Sequence, residues 1–283
     1  MQMRNAEVFA SLHQTGAPLL LANAWDVASA VAIEGAGAKA IATTSAGVAW
    51  SLGVPDAAGL GARRAAEVIA RITPAVSIPV SADIEAGYGD SPDAVAATVL
   101  AVVEAGAVGV NLEDRREGTL LFETGQQADR LAAAREAAGD VRVWINARTD
   151  VFLSGSHASP AAGIEAVLER AAAYHAAGAN SLFVPGLVDL EAIAQIVTGP
   201  LPVAVMAWSG APTVAQLTAV GVVRISVGSA IAEAAYGLTA RAAAELFTSG
   251  TYDTSANGFG YKAMNDALSR QRIPGQQAGG RHE

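Results

Sequence analysis

Asp83 and Glu85 stand two residues apart in the run Ser81-Ala82-Asp83-Ile84-Glu85-Ala86-Gly87-Tyr88-Gly89, where an apolar stretch ends in a glycine-flanked turn. On an extended strand residues i and i+2 share a face, so the two carboxylates aim the same way. Hard oxygen donors converging at a strand end suit Mg²⁺ or Mn²⁺. Taken alone, such a pair also describes helix-capping or solvated loop acids. The rest of the chain turns the reading toward a metal.

Three other segments carry related chemistry. Glu113 is a third acid that, with Asp83 and Glu85, can hold one divalent ion directly or through its waters. Arg148 is the counterpart, because a guanidinium clamps a carboxylate with two parallel hydrogen bonds. Its other reading is neutralisation of Glu113 or Asp83. Thr44, Ser45 and the backbone N–H groups of Ala46 and Gly47 form a donor-rich turn suited to a carboxylate or phosphonyl oxygen. Asp114, Arg115 and Asp150 read either as members of the same constellation or as surface ion pairs bracing loops.

The elements that must position these groups are legible as a repeat. At Gly37, Gly106, Gly178 and Gly221 an alanine-rich helical stretch ends in glycine and a β-branched run follows, as a left-handed helix cap requires. Short apolar runs predict eight strands: 19–25, 40–45, 79–84, 108–112, 141–147, 181–184, 203–207 and 222–227. Helices are expected between them at 28–34, 62–72, 92–104, 126–138, 160–176, 190–196, 214–219 and 229–238, with Ser91-Pro92 and Ser159-Pro160 as helix starts. Further helices are expected at 240–247 and 261–270. Eight alternating pairs read as an α/β protein, a closed (β/α)8 TIM barrel, with an open doubly wound sheet as the weaker alternative. Residues 1–272 form the barrel domain with its helical extension, and 273–283 a flexible polar tail. In a barrel the site forms at the C-terminal strand ends. That rim is where the polar residues gather: Asn23, Trp25 and Asp26; Thr43, Thr44 and Ser45; Asp83 and Glu85; Asn111 to Arg115; Asn146, Arg148 and Asp150.

Composition removes several alternatives. With 283 residues, 52% hydrophobic, the chain can bury a large core. A net charge of -9 without a basic cluster argues against nucleic acid or an anionic membrane as partner. No apolar run approaches the roughly 20 residues of a membrane span, and the start MQMRNAEVF lacks a signal-peptide core, so a cytoplasmic location is expected. Without cysteine there is no thiolate nucleophile, disulfide or Fe–S cluster. Lys39 and Lys262 are the only lysines; one precedes a strand and the other lies in a late helix, which makes imine chemistry unlike this chain.

Four motifs in register resemble the isocitrate lyase and phosphoenolpyruvate mutase superfamily: Thr44-Ser45-Ala46-Gly47 with Leu52-Gly53-Val54-Pro55-Asp56, the run Asp83 to Gly89, Asn111-Leu112-Glu113-Asp114, and Ala147-Arg148-Thr149-Asp150. Order and spacing match over residues 17 to 240. The resemblance implies a barrel whose last helix is swapped with a partner subunit, a homodimer or homotetramer, and Mg²⁺ (or Mn²⁺) holding a small-molecule carboxylate, a 2-oxo acid or its enolate. It implies Asp83 as the main metal-binding acid, with Glu85 and Glu113 around the metal's waters. Arg148 would bind the substrate carboxylate, Thr44 with the Ser45 and Ala46 amides its other end, and Asp56 would support the pocket. The implied reaction is lysis or formation of a C–C bond next to a 2-oxo or 2-hydroxy carboxylate, oxaloacetate-type decarboxylation included. The alternatives are P–C bond chemistry, as a phosphonomutase or phosphonopyruvate hydrolase, and a catalytically silent oxo-acid-binding barrel.

The chain departs from the superfamily after the fourth strand. Lyases acting on isocitrate or 2-methylisocitrate carry a Lys-Lys-Cys-Gly-His-like loop there, and this chain has Arg115-Arg116-Glu117-Gly118-Thr119-Leu120-Leu121-Phe122. With no cysteine acid/base, isocitrate lyase activity itself is not expected. Arg116 and Glu117 are candidate substitutes, or charges on a mobile lid. His157 reads as a surface-loop histidine or an acid/base, Tyr88 as a leaving-group donor or packing under its loop, and His13 as structural.

Overall fold

The computed structural model describes residues 1–116, 118–155 and 157–269. Its strands are β1 (Leu19–Leu21), β2 (Asn23–Ala24), β3 (Ile41–Thr43), β4 (Val80–Asp83), β5 (Gly109–Glu113), β6 (Trp144–Arg148), β7 (Ser181–Phe183), β8 (Val203–Met206) and β9 (Arg224–Ser226). All pair in parallel, in the order β1-β9-β8-β7-β6-β5-β4-β3-β2. Only Ala22 separates β1 from β2. The first half of this stave bonds to β9 and the second to β3, so eight staves close a (β/α)8 barrel. The single strand expected over 19–25 is split because strands in a sheared barrel slide past one another, and a stave at the seam meets a different neighbour at each end. Asn23 stitches this seam: its Nδ2 donates to Thr43 O (3.1 Å) and its Oδ1 accepts from the Val227 N–H (3.2 Å).

The helices are α1 (Gln2–Ser11), α2 (Val27–Gly35), α3 (Ser45–Ser51), α4 (Ala62–Ile72), α5 (Pro92–Glu104), α6 (Thr124–Ala137), α7 (Val151–Ser154), α8 (Pro160–Ala176), α9 (Leu190–Ile196), α10 (Val214–Ala219), α11 (Ala230–Ser249) and α12 (Tyr261–Ser269). Local chemistry explains most of their bounds. Ser91 and Ser159 accept the Ala94 and Ala162 N–H groups with proline in the first turn, and Asp189 accepts from Ala192. Gly37, Gly106, Gly178 and Gly221 all have φ between +90° and +99°, where L side chains are disfavoured. Asp26, grouped with the rim residues on sequence, is instead the N-cap of α2 in a reciprocal pair with Ser29.

Two expectations change. The pieces at 229–238 and 240–247 are one 20-residue helix, α11, because its alanine-rich sequence contains no proline between them. The rim also carries two short helices, α3 and α7, directly after β3 and β6. The tail expected at 273–283, the helix end at Arg270 and the candidate Glu117 lie outside the described residues.

The main core lies between the sheet and its outer helices, with Val99, Leu131, Val167 and Ile193 fully buried. The N-terminal end of the barrel is plugged by α1, whose Phe9 is buried with Leu19 and Leu21 and whose neighbour His13 stacks on Trp144 at 4.0 Å. Above that plug the interior is polar: Trp144 Nε1 donates to Ser181 Oγ (2.8 Å), Ser181 Oγ to Asn146 Oδ1 (2.5 Å), and Asn146 Nδ2 to Asn111 Oδ1 (2.8 Å). Arg224 Nη2 also donates to Asn111 Oδ1 (3.0 Å). Among the described residues no helix is long and apolar enough to cross a membrane.

Candidate active site

Parallel register puts the predicted acids on one rim. Asp83 ends β4 opposite Asn111, while Glu113 ends β5 opposite Arg148, the last residue of β6. Asp83 is anchored from two sides: its backbone N–H donates to Thr43 Oγ1 (2.9 Å), and its Oδ2 accepts from the Ser45 N–H (3.0 Å) at the start of α3. Thr44 and Ala46 are buried beside it. A Cβ on Gly47 would lie 2.8 Å from Thr44 Cγ2 and 2.9 Å from Trp25 Cβ, so glycine is what lets α3 seat this closely.

Arg148 is engaged on all sides. Its Nε and Nη2 grip Asp150 in a bidentate pair (2.6 and 2.8 Å), and its Nη1 meets Glu113 Oε2 at 2.7 Å. The surface-brace reading of Asp114 and Asp150 is overturned, since neither has accessible surface. Asp114 accepts from the Asp150 N–H (2.9 Å), Arg170 Nη1 (3.1 Å) and the Tyr174 hydroxyl (2.8 Å). It ties the ends of β5 and β6 to α8 and leaves Asp150 rigidly placed under Arg148.

Glu85 lies beyond β4 in a turn where Glu85, Gly87 and Tyr88 take φ of +50°, +83° and +54°. Left-handed non-glycine residues carry a cost that the surroundings must hold in place. Here the Glu113 N–H donates to Glu85 O (3.0 Å), joining the two acidic loops through their backbones. Arg130, buried on α6, donates to Gly89 O (2.8 Å), Asp90 O (2.7 Å) and Ala86 O, and lies over the Phe122 ring at 3.9 Å. One turn earlier Gln127 orients Arg130 (2.9 Å) and donates to Glu113 O (3.2 Å). These two residues, which hold both acidic loops, were missed on sequence. The available signal was a glutamine and an arginine on the same buried face as Leu131 and Ala134.

The electrostatics are those of crowded acids. Burial, and then the charges of Asp83 and Asp56, push Glu85 up to about 7. Burial and the Asp150, Asp83 and Glu85 carboxylates push Glu113 up against the pull of Arg148. Asp56, in the exposed loop after α3, is raised by partial burial and by Asp83. Burial also raises the Tyr88 hydroxyl, which therefore keeps its proton. Glu85 Oε1 and Tyr88 Oη are buried without a hydrogen-bond partner among the described residues. Among those residues no three acids or histidines stand close enough to cage an ion by themselves. A closed all-protein cage is therefore not built by the described residues, and the donor set suits only an ion that keeps much of its water, as Mg²⁺ does. His157 has a local role, with its Nδ1 3.2 Å from Val151 O and its ring against Phe152.

The profile of the phosphoenolpyruvate phosphomutase family matches residues 9–247. The uncharacterized protein Rv1998c of Mycobacterium tuberculosis H37Rv is 37% identical over 223 residues, 78% of this chain and 81% of that one. The 2-methylisocitrate lyase of Escherichia coli K12 is 34% identical over 190 residues; the aligned region is 63% of this chain and 61% of that enzyme. The crystal structure of a phosphonomutase candidate from Burkholderia cenocepacia J2315 superposes with a TM-score of 0.81 at 40% identity, covering 89% of this chain and all of that one. The family match spans every rim residue from Thr44 to Asp150, and by it the chain belongs to the phosphoenolpyruvate phosphomutase family, within the isocitrate lyase and phosphoenolpyruvate mutase superfamily of enzymes.

Proposed function

We propose that the chain is a Mg²⁺-dependent carbon–carbon lyase, cleaving or forming a bond next to a 2-oxo or 2-hydroxy carboxylate through a pyruvate-like enolate, oxaloacetate-type decarboxylation included. One observation carries this reading: Asp56, Asp83, Glu85, Glu113 and Asp150 crowd one rim, three of them pushed toward protonation by burial and by one another, as acids are when a cation belongs among them. Asp83 would hold the ion, and Glu85 and Glu113 its waters. Mg²⁺ bound there supplies a Lewis acid for the 2-oxo carboxylate and for the charge that develops as the bond breaks. Arg148 orients the substrate carboxylate with the Nη1 that Glu113 now occupies, while Asp150 keeps the guanidinium aimed. Thr44, the Ala46 amide and the Ser45 amide that now donates to Asp83 would receive the substrate's other end, and Asp56 would line the mouth. Tyr88 holds a proton beside Glu85. Lys39 lies before β3, at the opposite end of the barrel from the rim, and Lys262 lies on α12, so neither amine supplies the electron sink. A second reading, P–C bond chemistry, is favoured by the family profile.

Turnover of oxaloacetate and of 2-methyl- and dimethyl-substituted malate-type acids with Mg²⁺, followed by pyruvate release, tests the first reading against Asp83→Ala. Phosphonopyruvate followed by ³¹P NMR tests the second. Oxalate binding that needs Mg²⁺, without turnover of either class, would mean a silent binding barrel.

The same reading includes a homodimer or larger assembly in which α11 is exchanged. On β1, Leu20 is 51% exposed, in the middle of a stave that an outer helix normally covers. It lines a groove of about 690 Å³ with Pro18, Ala32, Ile33, Ala36 and Ile231. Ala232 is the only fully buried residue of α11, which exposes Tyr236, Leu238, Leu246 and Phe247. A second copy's α11 supplies the missing cover, and light scattering should return at least a dimer; a monomer at micromolar concentration overturns the exchange.

A further inference from the structure

The described parts of the β5–α6 connection are pinned. Arg115 and Leu121 form an antiparallel bridge, the Arg116 N–H donates to Leu120 O (2.8 Å), and the Phe122 N–H to Asp114 O (2.8 Å). Phe122 is buried beneath the Arg130 guanidinium, and Arg170 Nη1 donates to its carbonyl (3.0 Å). Arg115 is thus delivered to the rim on a fixed base. Its Nε donates to Gly118 O (2.8 Å), which orients the guanidinium, and its Nη1 lies 3.7 Å from Asp150 Oδ2.

The two rim guanidiniums differ in what they have left to give. Arg148 is 17% exposed, with Nε and Nη2 on Asp150 and Nη1 on Glu113. Arg115 is 36% exposed, and among the described residues neither of its Nη atoms has a hydrogen-bond partner. Asp150 holds Arg115 in place by charge but has already given both oxygens to Arg148. Asp56, in the loop after α3, feels Arg115 as one of the charges pulling its carboxyl down. Among the described residues Arg115 is therefore an oriented cation whose Nη donors have no hydrogen-bond partner, beside the end of β6 and within the field of Asp56.

We propose that Arg115 is the specificity-determining residue that supplies the counter-charge for the substrate's second anionic group, at the end that Thr44 and the Ser45 and Ala46 amides also receive, distal to the carboxylate held by Arg148. This rests on the lyase reading above and adds to it the residue that distinguishes a dianion from its matched monoanion. A guanidinium offers two parallel donors to a carboxylate or phosphonate, and one oriented beforehand loses little freedom on binding.

Malate and lactate form a matched pair, differing by the distal carboxylate, and oxalate reports the metal end alone. Displacement calorimetry at saturating Mg²⁺ should give wild-type malate binding roughly 10- to 100-fold tighter than lactate, the range for a hydrogen bond to a charged group. In Arg115→Gln that ratio should fall to within about threefold of unity while oxalate affinity moves less than about twofold. Arg115→Lys, which keeps the charge and loses the fork, should lie between. A ratio unchanged in Arg115→Gln, with a lowered melting temperature or without one, makes Arg115 a loop brace and overturns the proposal. A wild type that binds oxalate but treats malate and lactate alike overturns it too, and leaves the lyase reading standing. Failure of the wild type to bind oxalate with Mg²⁺ removes that reading, and the role of Arg115 with it.

Discussion

The two ends of the barrel store unbalanced charge of opposite sign. At the C-terminal rim five carboxylates surround Arg148 and Arg115, and burial and repulsion raise Asp56, Glu85 and Glu113. At the other end Arg224 is fully buried, bonded to Asn111 through Nη2, with Nε and Nη1 unpartnered among the described residues. Burial pulls Arg224 down to about 10, and burial and then the Arg224 charge pull the neighbouring His13 down to about 3. The same desolvation acts at both ends. The difference lies in access: the plug of Phe9 and His13 seals the lower end, whereas the Asp56 loop and Arg115 leave the rim open to a soluble ion and an organic acid. Crowded charge marks a site where a counter-charge can arrive, and a structural feature where it cannot.

Substitutions at Asp83 and at one arginine from each end separate these cases. Asp83→Ala should lower kcat/KM by roughly a thousandfold or more with the melting temperature held or raised, because on the proposed reading it removes the ion's main ligand and it relieves its acidic neighbours. Arg148→Met should cost about 3–5 kcal/mol in denaturant unfolding, since it strands Glu113 and Asp150 in a dry site. Arg224→Met should be within about 1 kcal/mol of the parent, because the charge it removes has no carboxylate in contact. Equal losses at the two positions would erase the contrast. A smaller effect is expected at Arg130: Arg130→Gln frees the turn that carries Glu85, and should raise the KM for Mg²⁺ several-fold while changing kcat less than about threefold at saturating metal.

Acidity sharpens the comparison, with opposite signs at the two ends. Glu85 rises from 4.5 to about 7 on folding, so its contribution to stability is present below 4.5 and lost as pH rises through about 7. His13 falls from 6.5 to about 3, so its contribution is present above 6.5 and lost as pH falls toward 3. Unfolding free energy of the metal-free chain should therefore decline on both sides of mildly acidic pH, by on the order of 2 kcal/mol on the acid limb and about 1 kcal/mol or less on the alkaline limb. Glu85→Gln should flatten the alkaline limb and His13→Gln the acid limb. Mg²⁺ should lift the alkaline limb alone, since it competes with protons only at the rim.

Much of the scaffold was legible in advance, because strand runs, glycine caps and serine–proline helix starts are decided within a few residues of themselves. The ranges expected for α4, α5, α8, α9 and α10 match the structure residue for residue. The split stave at Ala22 was not legible, since its cause is the arrival of β9, two hundred residues away. The rim followed the same division. Asp83, Glu85, Glu113 and Arg148 could be placed there from strand ends alone, but Gln127 and Arg130 act on backbone carbonyls 14 to 44 residues distant.

By itself the sequence determined the eightfold alternation, the acidic character of one rim and the absence of thiol chemistry, because composition, periodicity and caps are local properties of the chain. Tertiary structure alone decided that Arg148 is committed to Asp150 and Glu113 while, among the described residues, the Arg115 Nη donors have no hydrogen-bond partner. Which carboxylate an arginine meets depends on which staves become neighbours and how dry their junction is. Strand register and burial set both, and neither is written within reach of the residue itself.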